Sequence, residues 1–179
     1  MLDPQNSLLL VIDFQEKLLP HIYQKESVLA NAQILIKSLR LLKVPILWSE
    51  QAPKKIGKTV SEIARLLNGH QAFRKYSFSC LGHKEMLAEL QRFTGRDIIL
   101  CGIETHVCVY QTALDLLSSG FRVQIVTDAI SSRTAHNRQI GLDLMRTHGC
   151  QLTSTETVLC ELVRSAQHEN FKEIIKMIK

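Results

Sequence analysis

The sequence predicts an α/β fold: a doubly wound parallel sheet with helices on both faces. Two observations carry that prediction. Apolar runs of strand length, such as Ser7–Ile12, are nearly continuous, as in strands buried on both faces. These runs alternate with stretches of helical spacing, and repeated strand–helix units wind into parallel sheet. The 179 residues are read as one domain, 1–179. They suffice for one large core and are too few for two comfortable ones.

Ser7–Ile12 is the first strand. Residues 27–42 follow as a helix, with Leu29, Ile34, Leu35, Leu39 and Leu42 on apolar positions. A short strand at 44–48 comes after Lys43, then helices at 59–67 and 82–93 with room for a short strand within 71–78. Residues 97–101 form the next strand and 107–118 its helix. After Gly120, 121–127 reads as a strand and 135–148 as a helix stopped by Gly149. Gln151–Thr153 is a last short strand and 157–164 a short helix. At the C-terminus Phe171, Ile174, Ile175 and Ile178 share one helical face. Such a stripe must cover something, either its own domain or a second copy.

Composition narrows the function. Hydrophobic residues make up 45% and charged residues 22%, ordinary for a soluble globular protein. No apolar run is long enough for a membrane span, and Asp3 and Pro4 stand where a signal peptide carries basic residues. Five cysteines without a CxxC pair point to reduced thiols and a cytoplasmic protein. The net charge of +5 is mild. Its densest patch, Lys54, Lys55 and Lys58, has no interleaved aromatics, so a solvated loop is expected there and no nucleic-acid partner. No GxGxxG or Walker sequence is present, so neither a dinucleotide nor a nucleotide is indicated.

The chemistry is concentrated near Leu100-Cys101-Gly102-Ile103-Glu104-Thr105-His106-Val107-Cys108-Val109. A buried strand ends at Gly102, the chain turns, and a helix begins close to Cys108. Backbone N–H groups and the positive end of a helix stabilise a thiolate there, and an oxyanion formed when it attacks a carbonyl. Cys108 is therefore the expected nucleophile and the one strongly acidic thiol. Cys80, Cys101, Cys150 and Cys160 read as buried hydrophobes. In the commonest doubly wound order, strands one and four are neighbours where the order reverses, and ligands bind at that point. Strand one ends at Asp13, so Asp13 and Cys108 face one crevice. By itself Asp13 reads as a helix N-cap; its place at the switch point outweighs that.

Lys75 lies among Phe73, Tyr76 and Phe78. A lysine between aromatics can be desolvated and its proton affinity lowered, but taken alone it reads as a surface residue on an edge strand. His106 is two residues from Cys108, a spacing that does not face it on a helix, and is read as a turn or pocket-wall residue. His21, His70, His83, His136, His148 and His168 show no metal spacing and suit surface or capping roles.

Asp13, Lys75 and Cys108, in that order, resemble the triad of the isochorismatase-like cysteine hydrolases. The resemblance runs from Leu8 to about Leu162. It is carried by Leu10-Val11-Ile12-Asp13-Phe14-Gln15, Lys75-Tyr76-Ser77-Phe78-Ser79, Gly102 to Val109, and Thr127-Asp128-Ala129-Ile130-Ser131-Ser132-Arg133, the last packing beside the site in the family. It implies a three-layer Rossmann-like sheet of about six parallel strands. It implies a cis peptide between Ile103 and Glu104, an oxyanion hole from the Glu104 and Cys108 amides, and a small-molecule substrate in a pocket walled by Gln15, Leu19, Trp48, Phe78 and Thr105. Family members are often dimers or larger, which favours a homo-oligomer and gives the C-terminal stripe to a subunit contact.

One departure is informative. Nicotinamidases carry an Asp-x-His pair and a further His that bind a metal near the second strand. Here that region reads Trp48-Ser49-Glu50-Gln51-Ala52-Pro53, so the chain resembles the metal-free members, with no metal and no cofactor expected. The implied activity is hydrolysis of a small amide or related C–N bond through a thioester. The rivals are an isochorismatase-type hydrolase, a catalytically idle binding or assembly module, and a redox-sensing thiol protein with Cys101 as the sequence neighbour of Cys108.

Overall fold

The computed structural model describes residues 1–67, 69 and 71–178, and His70 lies outside them. Its six strands are β1 (Ser7–Ile12), β2 (Ile46–Gln51), β3 (Phe73–Lys75), β4 (Asp97–Ile103), β5 (Arg122–Ser131) and β6 (Gln151–Thr153). They form one all-parallel sheet in the order β3-β2-β1-β4-β5-β6. The order reverses between β1 and β4, as the strand pattern predicts, and the sheet has the Rossmann-type arrangement.

Strand alternation builds two cores from one sheet. Leu9 and Val11 face the cluster completed by α1 (Lys25–Leu41), α3 (Ser61–Ala64), α7 (Thr155–Val163) and α8 (Phe171–Ile178). Leu8, Leu10 and Ile12 face the cluster completed by α4 (Lys84–Gln91), α5 (Tyr110–Ser118) and α6 (Ala135–Thr147). Every residue of β1 is buried, which is why its sequence shows no polar alternation.

Several elements differ from the sequence reading for physical reasons. Strand β2 starts later than 44–48, after Pro45, and continues through the polar Ser49-Glu50-Gln51, which are buried. Strand β5 runs on to Ser131, past a register shift against β4 between Leu100 and Gly102. The helix expected over 59–67 divides into α3 and a 3-10 turn at Arg65–Leu67. Part of the expected lysine loop is a short helix, α2 (Pro53–Ile56), whose Lys54 and Lys55 stay exposed. The C-terminal stripe is turned inward. Ile174 is fully buried, and Phe171, Met177 and Ile178 pack onto the core under α1 and α7, so this chain itself covers the face assigned to a subunit contact.

Two glycines set the approach to the switch point. A Cβ on Gly102 would lie 2.3 Å from the Ile12 carbonyl oxygen, so only glycine lets β4 pass β1 there. A Cβ on Gly141 would lie 2.9 Å from the His106 backbone, so α6 packs directly against the turn after β4.

Candidate active site

Asp13 follows β1 with a left-handed backbone, φ 53°, and is completely buried. Aspartate tolerates that region better than most residues, and isolated backbone strain of this kind gathers at functional sites. Its carboxylate accepts two hydrogen bonds. Ser49 Oγ donates to Oδ1 at 2.7 Å, and Lys75 Nζ donates to Oδ2 at 2.6 Å.

Lys75 is indeed on an edge strand, but its side chain is 0% exposed. Besides Asp13, Nζ lies 2.9 Å from Gln51 Oε1, 2.9 Å from the Phe78 carbonyl and 3.4 Å from the Ser77 carbonyl. An ammonium has three protons, so the protein itself occupies all of them. Burial, the largest single influence, would lower the proton affinity of Lys75; the charge of Asp13, together with Cys80, Cys108 and the Asp13 hydrogen bond, outweighs it and raises it. The surface position expected of an isolated lysine is thereby corrected: Lys75 is a buried cation whose hydrogen bonds are made within the protein.

Cys108 lies in a π-helical turn, Thr105–Val109, ahead of α5, rather than at the start of an α-helix. It is buried, 6% exposed. Burial, then the negative charge of Asp13, push its thiol well up, and Lys75 opposes them only in part. That direction runs against the expected acidic thiol, which lies beside the Asp13 carboxylate. Cys80 and Cys150 are pushed up to about 11, and Cys101 also upward, in each case first by burial.

The Ile103–Glu104 peptide bond is cis. The Glu104 side chain points to the 132–133 segment. Arg133 donates to Oε2 through its backbone N–H at 2.9 Å and through Nε at 3.1 Å, and to Oε1 through its terminal nitrogen at 2.7 Å. Burial would raise the Glu104 carboxyl; the Arg133 contacts prevail and hold it below its ordinary range. His106 Nδ1 sits 2.9 Å from Ser132 Oγ. Ser132 and Arg133, at the end of that segment, therefore brace the turn that carries Cys108. Its Asp128 instead accepts from Thr155 N–H and Oγ, both at 2.9 Å, and anchors α7.

The structure separates the other expected pocket residues. Trp48 and Glu50 project to the face of β2 opposite Ser49 and Gln51, and Trp48 joins the core under α1. Glu50 accepts from Thr59 N–H at 2.8 Å and Oγ at 3.0 Å. Gln15 is spent on backbone. It donates to the carbonyls of Gln51 and Gly57 and accepts from Gln51 N–H, so it ties down the 51–58 segment rather than offering an amide to a ligand. Leu19 is in the core, while its neighbours Leu18 and Ile22, with His21, Glu104 and Arg133, line a cavity of about 300 Å³. Phe78 is half exposed while its carbonyl holds Lys75. Thr105 is fully buried, and its hydroxyl has no partner among the described residues.

Sequence reading missed Ser49, Gln51 and Cys80. Cys80 Sγ donates to Ser49 Oγ at 3.6 Å, which brings it to the Asp13 cluster. Extending the second strand to residue 51 reveals the first two, since alternation then puts Ser49 and Gln51 on one face beside Asp13. Among the described residues, no group of three His, Cys, Asp or Glu side chains is arranged to hold a metal. Two of the histidines accept from nearby backbone: His83 Nδ1 from Met86 N–H at 3.3 Å, and His168 Nδ1 from Asn170 N–H at 3.1 Å.

The fold is a Rossmann-like α/β sheet, and the candidate site stands at its β1/β4 switch point. The sequence profile of the isochorismatase domain matches residues 7–157, and the chain belongs to that family. Isochorismatase domain-containing protein 2 of Danio rerio is 40% identical over 99% of this chain and 89% of its own length. Among solved structures, MAR1 ribonuclease from Caenorhabditis elegans superposes with a TM-score of 0.93 at 36% identity, over 99% of this chain and 91% of that one. The octameric YcaC hydrolase of unknown specificity from Escherichia coli shares the fold, with a TM-score of 0.88 at 23% identity over 99% and 86%. Among the described residues no helix is long and apolar enough to cross a membrane.

Proposed function

We propose that the protein is a cysteine-dependent hydrolase of a small amide or related C–N substrate, acting through a thioester. The observation that carries this reading is the fully buried Asp13–Lys75 pair at 2.6 Å, bearing on the Cys108 thiol. Asp13 takes the thiol proton as the sulfur attacks the carbonyl; a C–S bond forms and the π pair moves to oxygen. The amides of Glu104 and Cys108 hold that oxyanion. The C=O bond re-forms, the C–N bond breaks, and Asp13 returns the proton to the leaving amine. Water then gives a proton to Asp13 and forms a C–O bond. The C–S bond breaks and the thiol recovers its proton. Lys75 keeps the site neutral while Asp13 is charged and steadies it while negative charge moves.

A redox sensor is better served by an acidic thiol than by one raised through burial and a neighbouring carboxylate. That favours a base-assisted nucleophile. The relatives carry different names, a ribonuclease among them, so the deciding screen spans primary amides, ureas, carbamoyl compounds, isochorismate and RNA, with Cys108→Ala as control. Turnover of a C–N substrate that disappears in Cys108→Ala supports the proposal. Turnover that survives the substitution refutes it.

Five unpaired cysteines suit a reducing compartment, and the cytoplasm is the proposed location. A homo-oligomer is also proposed. Ile140 and Leu144, 41% and 37% exposed, lie one turn apart on α6, which backs the catalytic turn. Light scattering on the chain and on Ile140→Asp/Leu144→Asp tests it; a monomeric parent refutes it.

A further inference from the structure

We infer that Ser49 and Cys80 are positioning residues of this site, a relay of donors running from Cys80 Sγ through Ser49 Oγ to Asp13 Oδ1. The inference rests on Cys108 being the nucleophile and Asp13 its base. A hydroxyl owns one proton. Because Cys80 donates to Ser49 Oγ at 3.6 Å, the Ser49 proton is committed to Asp13 Oδ1 at 2.7 Å. That oxygen is thereby fixed as an acceptor, and the carboxylate cannot rotate its Oδ2 away from Lys75.

The rest of the geometry locks the relay. All three side chains are at least nine-tenths buried. Cys80 N–H donates to Thr112 Oγ at 3.0 Å, and Thr112 is on α5, which continues directly from the turn carrying Cys108. The relay is therefore fastened to the helix that follows the nucleophile's turn. Burial pushes the Cys80 thiol up to about 11, which favours the protonated, donating form. Gln51 does the same for Lys75. Its Nε2 donates to the Tyr76 carbonyl at 2.8 Å, which leaves Oε1 facing the ammonium. The titratable groups bearing on Asp13 come from three elements: Lys75 from β3, Cys80 from the turn before α4, and Cys108 from the turn before α5.

The test uses the whole protein and acrylamide as the probe, following alkylation of Cys108 by peptide mass mapping from pH 4 to 9. The acid limb of the wild-type profile is the reference. In Ser49→Ala the carboxylate loses a donor that favoured its charged form, and this acid limb moves to higher pH by about half a unit to one unit. Cys80→Ala moves it the same way by less, and Ser49→Thr and Cys80→Ser restore the wild-type limb. A uniform drop in rate with the limb in place shows a merely structural role and overturns the inference. Should Ser49→Ala fail to fold, an unmoved limb in Cys80→Ala overturns it equally. Asp13→Asn separates the two levels. If the wild-type limb survives that change, or Cys108 is not the cysteine labelled, the reading of the nucleophile and base fails. If Asp13→Asn removes the limb and Ser49→Ala leaves it, only the relay fails.

Discussion

Two acid–base pairs occupy opposite ends of the same sheet. At the amino ends of β4 and β5, Asp97 faces Arg122 directly across the ladder, with both oxygens bonded at 2.8 Å. At the carboxyl ends, Asp13 meets Lys75 at 2.6 Å across the intervening β2. The first pair has the better two-pronged geometry, yet the Arg122 side chain is 58% exposed. The second is 0% exposed on both sides. Water solvates the guanidinium at one end and screens its pair; at the other end each charge depends on its partner and on Ser49, Gln51 and the Phe78 carbonyl. Burial, more than the ion pair itself, distinguishes the two ends.

The largest contrast lies in activity. Cys108→Ala should lower turnover of any C–N substrate found in the screen by about 10³-fold or more, whereas Cys101→Ala, within β4, should leave it near the parent value. A comparable loss in both would break the distinction between the two regions.

Stability comes next. Removing one partner of the buried pair, by Asp13→Ala or Lys75→Ala, should cost about 3–5 kcal/mol in denaturant unfolding. Replacing both with apolar residues of similar size should recover much of that stability and none of the activity. If the single substitutions cost no more than those at the other end, the comparison fails.

Alkaline pH probes the interior between the two ends. Burial raises the Cys101 thiol in the folded state. Its contribution to stability is complete below about pH 8.5, the value of an unfolded thiol, and is lost as pH rises toward the folded value, at about 1.4 kcal/mol per unit. Unfolding free energies measured from pH 8 to 10 should therefore fall less steeply in Cys101→Val than in the parent, and parallel slopes would refute the effect.

The smallest effect belongs to the exposed partner. Arg122→Ala should cost about 1 kcal/mol or less, since its guanidinium already stands in water. A loss as large as that for Lys75→Ala, seen in thermal unfolding, would mean that exposure does not rank the pairs.

The site was legible in the sequence only as far as its spacing along strands. Asp13 and Cys108 follow β1 and β4, and those strands are neighbours, so the switch-point argument alone brings them to one place. Lys75 entered through the family pattern, because an isolated lysine between aromatics reads as surface. Trp48 falls in the core and not in the pocket because the second strand continues past residue 48, and the polar Ser49-Glu50-Gln51 that extends it is buried.

By itself the sequence determined the periodicities: continuous apolar strands, helical spacing between them, and hence a parallel sheet covered on both faces. It also determined which residue types stand at the strand ends. The tertiary structure decided what those residues became. It turned the C-terminal stripe inward, opposed Glu104 to Arg133, filled every proton of Lys75, and raised a thiol that its local position had marked as acidic. The physical reason is that patterning is a local property, whereas desolvation and charge at a buried site are sums over neighbours far apart in the chain.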